Sequence, residues 1–315
     1  MSEALSVALQ LRPFSAAMEA GLAQRFQVVR WFELSTAEQS EWLSRCASSV
    51  RAVVTGGETG CTNELMAALP SLGIIAINGV GVDKVDLSLA RARGVRVVTT
   101  PGVLSDDVAD LAVGLIIGLL RRIPAADAFV RRGEWERGTW PLARKVTGRR
   151  FGILGLGLIG SAIARRLSAF GSVAYTGPAQ KPVPYRFHAD LLDLARASDV
   201  LVVSCRANAS TRHIVNRSVI EALGSQGYLV NVSRGSVVDE SALVAALAAG
   251  GLQGAALDVY ENEPSVPHAL RLSSAVVLTP HIASATVETR AQMADVVLQN
   301  LDAFLQGAPL STAVV

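Results

Sequence analysis

An α/β fold built on parallel sheets is the class this sequence predicts. Two patterns predict it. Short β-branched runs alternate with amphipathic, helix-forming stretches along most of the chain, and one such run opens directly into a glycine-rich turn and a helix. With 315 residues, the length suits two domains. An AVILMFWYC content of 50% against 18% DEKR excludes a disordered chain. The formal charge of +2 is too balanced for binding nucleic acid by bulk charge.

Taken in order, the expected strands are Phe26–Arg30, Ala52–Thr55, Gly73–Ile77 and Val95–Thr99, then Phe151–Leu154, Val173–Thr176, Val200–Ser204, Tyr228–Val232, Gly254–Leu257 and Val276–Leu278. Helical patterns such as Asn63–Ala68 and Ser241–Ala249 separate most of them. The alternation pauses between Asp106 and Thr147, where the pattern is helical from Asp107 to Arg121 and again around Ala125 to Arg132. This predicts a first α/β unit, a helical crossing and a second α/β unit. A last helix, about Ser284 to Leu305, is expected to return to the first unit and make it discontinuous.

Cys46, Cys61 and Cys205 are too few for a disulfide framework and form no CxxC pair, and the histidines are isolated, so no metal site is expected. The first residues, MSEALSVALQ, lack the basic segment and apolar core of a leader. The longest apolar run, Leu111 to Leu120, is about half the ~20 residues a membrane span needs. A cytoplasmic protein without membrane partners is the expectation.

The glycine turn carries the first chemistry. Phe151–Leu154 runs into Gly155-Leu156-Gly157-Leu158-Ile159-Gly160 and then a helix, Ser161–Leu167. Gly155 permits the tight turn, Gly157 lets backbone approach a pyrophosphate, and Gly160 lets helix and strand pack closely. The free N–H groups around Leu158 and Ile159 face the anion. Dinucleotide binding follows, with S-adenosylmethionine as the rival ligand. An NAD site would close the next strand with an acid for the ribose hydroxyl. Here that end reads Tyr175-Thr176-Gly177-Pro178-Ala179-Gln180-Lys181. Thr176 and Lys181 would not repel a 2′-phosphate, which favours NADP and leaves NAD possible.

Three later strand ends carry unusual residues. Tyr228–Val232 leads to Ser233-Arg234, Gly254–Leu257 to Asp258 and then Glu263, and Val276–Leu278 to His281. A cation to grip a carboxylate and an imidazole to move a proton are what reduction of a 2-oxo acid requires. Plainer readings make Arg234 a surface residue, His281 a helix cap and Glu263 a solvated acid. His188, His213 and His268 lack such company and read as structural or surface residues.

These residues resemble the D-2-hydroxyacid dehydrogenase family. The match rests on Gly79-Val80-Gly81-Val82-Asp83, the Gly155–Gly160 turn, Asn231 to Glu240 around Arg234, Leu257-Asp258-Val259 with Glu263-Pro264, and Pro280-His281 to Ser284. It runs from about residue 50 to the C-terminus. Val287-Glu288-Thr289-Arg290 and Tyr175-Thr176-Gly177 point toward the glyoxylate/hydroxypyruvate and hydroxyphenylpyruvate reductases.

The resemblance implies two Rossmann-like domains with parallel sheets and a deep cleft between them. Residues 1–98 and 285–315 would form the discontinuous substrate domain, and residues 99–284 the dinucleotide domain. It implies Arg234 as the substrate-orienting arginine, His281 as general acid, and Glu263 as its partner, fixing the tautomer and steadying the imidazolium. Val80 and Gly81 would bind the substrate carboxylate through backbone N–H groups, with Ser284 nearby. Asp258 would contact the nicotinamide carboxamide, while Cys205, Val232 and Ser233 would line the cofactor. Trp140 would reach the partner subunit of a homodimer joined through Asp107–Thr139. The chain departs from the family at Leu158, where arginine is common, at Pro178, where arginine often stands, and at Arg206-Ala207-Asn208-Ala209.

The expected activity is NAD(P)H-dependent reduction of glyoxylate or hydroxypyruvate to the (R)-2-hydroxy acid. A hydroxyphenylpyruvate-type reductase and a non-catalytic NAD(P)-sensing protein on the same scaffold are the alternatives. Glutamate at 263, where formate-oxidising relatives carry glutamine, argues against that branch.

Overall fold

A computed structural model describes residues 5–315. The first four residues, which belong to the segment read for a leader, lie outside that range. The chain divides into two units, one running to Leu104 and resuming at Ala285, the other spanning Ser105–Ser284. The first change of unit falls six residues later than the boundary expected after residue 98. The reason is bonding: the Thr312 hydroxyl donates to the Thr99 carbonyl at 2.6 Å, and the Thr100 N–H donates to the Gly79 carbonyl at 2.8 Å. Both residues therefore stay with the first sheet.

The first unit holds β1 (Val7–Gln10), β2 (Gln27–Arg30), β3 (Val50–Gly56), β4 (Ile74–Asn78) and β5 (Arg96–Val98). They form one parallel sheet in the order β2-β1-β3-β4-β5. Its strands are apolar on both faces, as helix-covered parallel sheets require. Val53, Ile75 and Val97 belong to one core cluster and Ala52, Ile74 and Val98 to another. The helix Thr36–Cys46 starts at a capping box, in which Ser35 and Glu38 satisfy each other's backbone N–H groups. The last helix, Val287–Leu305, starts three residues later than expected because the Thr286 hydroxyl caps it, accepting from the Thr289 N–H at 3.2 Å. It packs on β4 and on the helix Ala16–Ala23.

The second unit holds β6 (Arg150–Leu154), β7 (Ser172–Thr176), β8 (Arg186–Phe187), β9 (Val200–Val203), β10 (Tyr228–Asn231), β11 (Gly254–Leu257) and β12 (Val276–Leu278). All pair in parallel, in the order β12-β11-β10-β9-β6-β7-β8. The order reverses between β6 and β9. In open α/β sheets that reversal places a ligand crevice at the carboxyl ends of the strands. The helical pause resolves into Ser105–Arg121 and Ile123–Arg131, the first packing on the helix Leu158–Leu167. Among the described residues, no helix is long and apolar enough to cross a membrane.

Candidate active site

The glycine turn follows β6 at the reversal point. Gly155 has φ +92°, which only glycine adopts freely, and a Cβ there would lie 2.4 Å from the Cys205 Cα. A Cβ on Gly160 would lie 2.0 Å from the Gly155 carbonyl oxygen. Both contacts bring the helix Leu158–Leu167 hard against β6 and the end of β9. Gly157, by contrast, faces open space within 4 Å. The first-turn N–H groups of Leu158, Ile159 and Gly160 have no intrahelical acceptor, so open backbone and a helix N-terminus coincide. These residues fit a dinucleotide pyrophosphate. Leu158 itself is exposed and adds no charge.

At the end of β7, Thr176 is buried and its carbonyl accepts the Gly155 N–H at 3.0 Å. Of the two residues expected to face a 2′-phosphate, Lys181 is the exposed one. Its amine donates to the Leu156 carbonyl in the glycine turn. The buried Tyr175 hydroxyl accepts the Lys181 N–H at 2.6 Å, which folds the loop back over that turn. Gly177 faces open space. On the other lip, the Ser233 hydroxyl donates to the Cys205 carbonyl, linking the loops after β9 and β10, while Val232 is buried. Burial pushes the Cys205 thiol up to about 11, so it is no nucleophile near neutral pH.

Arg234, Glu263 and His281 follow β10, β11 and β12, three adjacent strands. His281 Nδ1 lies 2.7 Å from Glu263 Oε2, and the Tyr260 N–H donates to Glu263 Oε1 at 2.9 Å. Burial alone would raise the Glu263 carboxyl. The His281 hydrogen bond and charge, the Tyr260 N–H and the Arg234 charge together hold it below the usual carboxylate range. The Arg234 guanidinium donates to the Ser233 carbonyl at 2.9 Å. Asn231 turns the chain beneath it, its amide donating to the Arg234 carbonyl and accepting the Ser233 N–H, each at 3.0 Å. His281 is not a helix cap, since that helix begins at Val287.

Asp258 is fully buried. Its carboxylate accepts from the Thr279 hydroxyl at 2.6 Å, the Ile282 N–H at 2.8 Å and the Ala283 N–H at 2.9 Å. The structure thus places it beneath the His281 loop, with both oxygens engaged. Two further residues carry weight that the sequence did not signal. Tyr260 bonds the Leu257 and Thr279 carbonyls through its hydroxyl, at 3.1 and 3.0 Å, and so ties the ends of β11 and β12 together. His213, read from the sequence as a structural or surface residue, has two charged neighbours. Its Nε2 lies 2.7 Å from Glu261 Oε1, and Arg212 is 2.9 Å from the same oxygen. Glu261 is 48 residues away in sequence, so no local spacing revealed the contact.

Val80 and Gly81 lie in the loop after β4, and Ser284 closes the second unit. Trp140 packs on Phe129 with ring centroids 5.2 Å apart, and the Arg122 guanidinium lies 5.0 Å from its ring.

Comparison with known proteins shows the family. Residues 113–283 match the family model described as "D-isomer specific 2-hydroxyacid dehydrogenase, NAD binding domain". The chain is 48% identical to a hydroxyphenylpyruvate reductase of Plectranthus scutellarioides, over 99% of this chain and 100% of that protein. It is 46% identical to a glyoxylate/hydroxypyruvate reductase A of Arabidopsis thaliana, over 98% of each. Among solved structures, the NADPH-dependent glyoxylate/hydroxypyruvate reductase of Sinorhizobium meliloti, in complex with NADP and malonate, superposes with a TM-score of 0.90 at 40% identity. That match covers 98% of this chain and 97% of the other.

Proposed function

Because the chain belongs to the D-isomer specific 2-hydroxyacid dehydrogenases, we propose that Arg234, Glu263 and His281 carry out the reduction of a small 2-oxo acid to its (R)-2-hydroxy acid. Glyoxylate and hydroxypyruvate are the substrates this reading favours. The contact between His281 and Glu263 carries it: an imidazole held by an ionised carboxylate, within the field of an arginine, at the carboxyl ends of adjacent strands.

The nicotinamide, when bound, supplies the hydride. The chain's residues do the rest. Glu263 accepts from Nδ1–H of His281, which leaves Nε2–H as the proton donor to the substrate carbonyl oxygen. Arg234 orients the carbonyl and carboxylate oxygens and stabilises the charge that grows on them. Backbone N–H groups of Val80 and Gly81 bind the carboxylate. NADP is the preferred dinucleotide, since no acid closes β7 and Lys181 supplies a cation there.

The same reading assigns a cytoplasmic homodimer. Its interface would be the helical crossing Asp107–Thr139, whose exposed Ile123 and Val130 line a groove of about 650 Å³ together with Trp140 and Leu142. Loss of NADPH absorbance with a panel of 2-oxo acids tests the activity. His281→Ala and Arg234→Ala each remove most turnover while NADPH still binds. Wild-type rates in His281→Ala would overturn the mechanism, and tight NADPH binding without turnover would favour a dinucleotide-sensing protein.

A further inference from the structure

In the first unit the strand order reverses between β1 and β3, so its ligand crevice opens at the carboxyl ends of those two strands. The chain leaving β1 puts Arg12 on one lip, and the chain leaving β3 puts Glu58 on the other. A methyl group on Gly56 would lie 2.6 Å from Arg12 Nη1 and 2.9 Å from Glu58 Oε2. Both charged ends therefore rest against Gly56, where they form an ion pair. One strand further, the loop after β4 brings Gly79 against Gly57: a Cβ on Gly79 would lie 3.4 Å from the Gly57 nitrogen. The Val80–Gly81 backbone is thus the direct neighbour of this crevice.

The C-terminal helix packs on β4 and carries Arg290 in its first turn. Arg290 is half-buried. Burial holds its guanidinium below the usual range, and among the described residues no carboxylate offsets that effect. Burial does the same to Arg12, and the Arg290 charge lowers it further. Arg12 and Arg290 are partly desolvated cations that repel each other, and Glu58 pairs with Arg12, so these three side chains carry a surplus positive charge. Such an arrangement is unfavourable in the empty protein and is relieved when an anion enters.

We propose that this crevice receives the far end of substrates longer than glyoxylate, and that it favours a second carboxylate there, so that a short 2-oxo dicarboxylic acid is preferred over its monocarboxylic analogue of equal length. The assignment rests on the reading of the protein as a 2-oxo acid reductase. With the first carboxylate on Val80 and Gly81, the chain of the substrate extends past Gly57 to Arg12 and Arg290. An aryl tail needs an apolar slot. Apart from the Phe14 ring, 6.0 Å from the Arg12 guanidinium, these strand ends offer guanidinium, carboxylate and glycine. Glu58 competes with the incoming anion for Arg12 and so tempers the preference.

The test compares kcat/KM with NADPH for glyoxylate, 2-oxobutanoate, oxaloacetate and phenylpyruvate. Oxaloacetate and 2-oxobutanoate differ chiefly in the second carboxylate. The expected ratio of oxaloacetate to 2-oxobutanoate is about tenfold or more, the scale of one charge-assisted contact. Arg290→Met brings the ratio toward one, mainly through KM. Arg290→Lys restores part of it, and Glu58→Gln raises it above wild type, a gain that no folding defect mimics. A wild-type ratio near one, or equal losses for both acids in Arg290→Met, would overturn the assignment. Turnover of glyoxylate with no preference for oxaloacetate defeats this inference alone, whereas no turnover of any acid defeats the reductase reading itself.

Discussion

Asp258 holds the backbone of His281 in a left-handed turn. The His281 N–H donates to the Asp258 carbonyl at 2.8 Å, and the Asp258 carboxylate collects the N–H groups of the next two residues, Ile282 and Ala283. His281 sits at φ +55°, a conformation that costs a non-glycine residue about 1–3 kcal/mol and persists only when its surroundings enforce it. Burial raises the Asp258 carboxyl, and the hydrogen bonds from Thr279, Ile282 and Ala283 work against that rise. The enforcement therefore depends on a buried acid that accepts hydrogen bonds on both oxygens.

Asp258→Asn tests the clamp. An amide nitrogen turned toward the Ile282 or Ala283 N–H loses that bond, and the imidazole is no longer held in place. The expected loss is roughly 10- to 100-fold in kcat/KM, on the scale of a charged hydrogen bond. The dissociation constant for NADP, read by fluorescence, should move far less. A large change in NADP affinity at unchanged kcat would show that Asp258 serves the nicotinamide instead.

Glu263 predicts a pH dependence with a definite sign. Its folded pKa is lowered, so its stabilising contribution is complete above the ordinary glutamate value of about 4.3 and disappears as pH falls through the lower folded value. Glu263→Gln keeps the shape and removes the charge. The urea-unfolding difference between wild type and this variant should be largest near neutral pH and shrink below about pH 4. A difference that grows on acidification would contradict the assigned ion pair.

Most strands were legible because β-branched runs signal buried parallel strands, as in Val50–Gly56 and Val200–Val203. β1 was not. It is four residues long and ends in Gln10, a polar residue that is 1% exposed because its amide bonds the Arg12 carbonyl and Glu19. A buried polar side chain, satisfied by the segment that follows the strand, breaks the apolar pattern. β8, two residues long, carries no pattern at all. The residues after β10, β11 and β12 were legible as a chemical set, since arginine, acid and histidine each follow a strand. The hydrogen-bond partners of Asp258 were not, because they are the Thr279 hydroxyl and backbone N–H groups 24 and 25 residues away. The partnership of Tyr260 with Thr279 was hidden for the same reason.

The glycine turn separates packing from binding. Gly160→Ala forces a methyl group onto the Gly155 carbonyl and should destabilise the second unit by about 1–3 kcal/mol, visible as a lower Tm without any cofactor. Gly157→Ala meets nothing within 4 Å and should leave that Tm unchanged. Its methyl group occupies the space a pyrophosphate would enter, so NADP and NAD affinity should fall together. Equal Tm losses in the two variants would mean that Gly157 is a packing glycine.

Lys181 and Tyr175 together predict the choice between dinucleotides. Pro178 supplies no charge, so the exposed cation on this loop is Lys181. Its place over the glycine turn depends on the Tyr175 hydroxyl, buried against Phe187 with ring centroids 5.3 Å apart. Lys181→Met should weaken NADP binding about 5- to 10-fold, a modest loss for a solvent-screened charge, and leave NAD binding nearly unchanged. Tyr175→Phe keeps the ring and the lysine but frees the loop. It should lower the NADP-to-NAD affinity ratio in the same direction and by less, and added salt should shrink both effects because the lysine acts through its charge. Titrating both dinucleotides against the three proteins, at low and high ionic strength, decides it. A ratio that survives Lys181→Met places the phosphate-binding cation elsewhere, with Arg206 on the neighbouring loop as the residue to replace next.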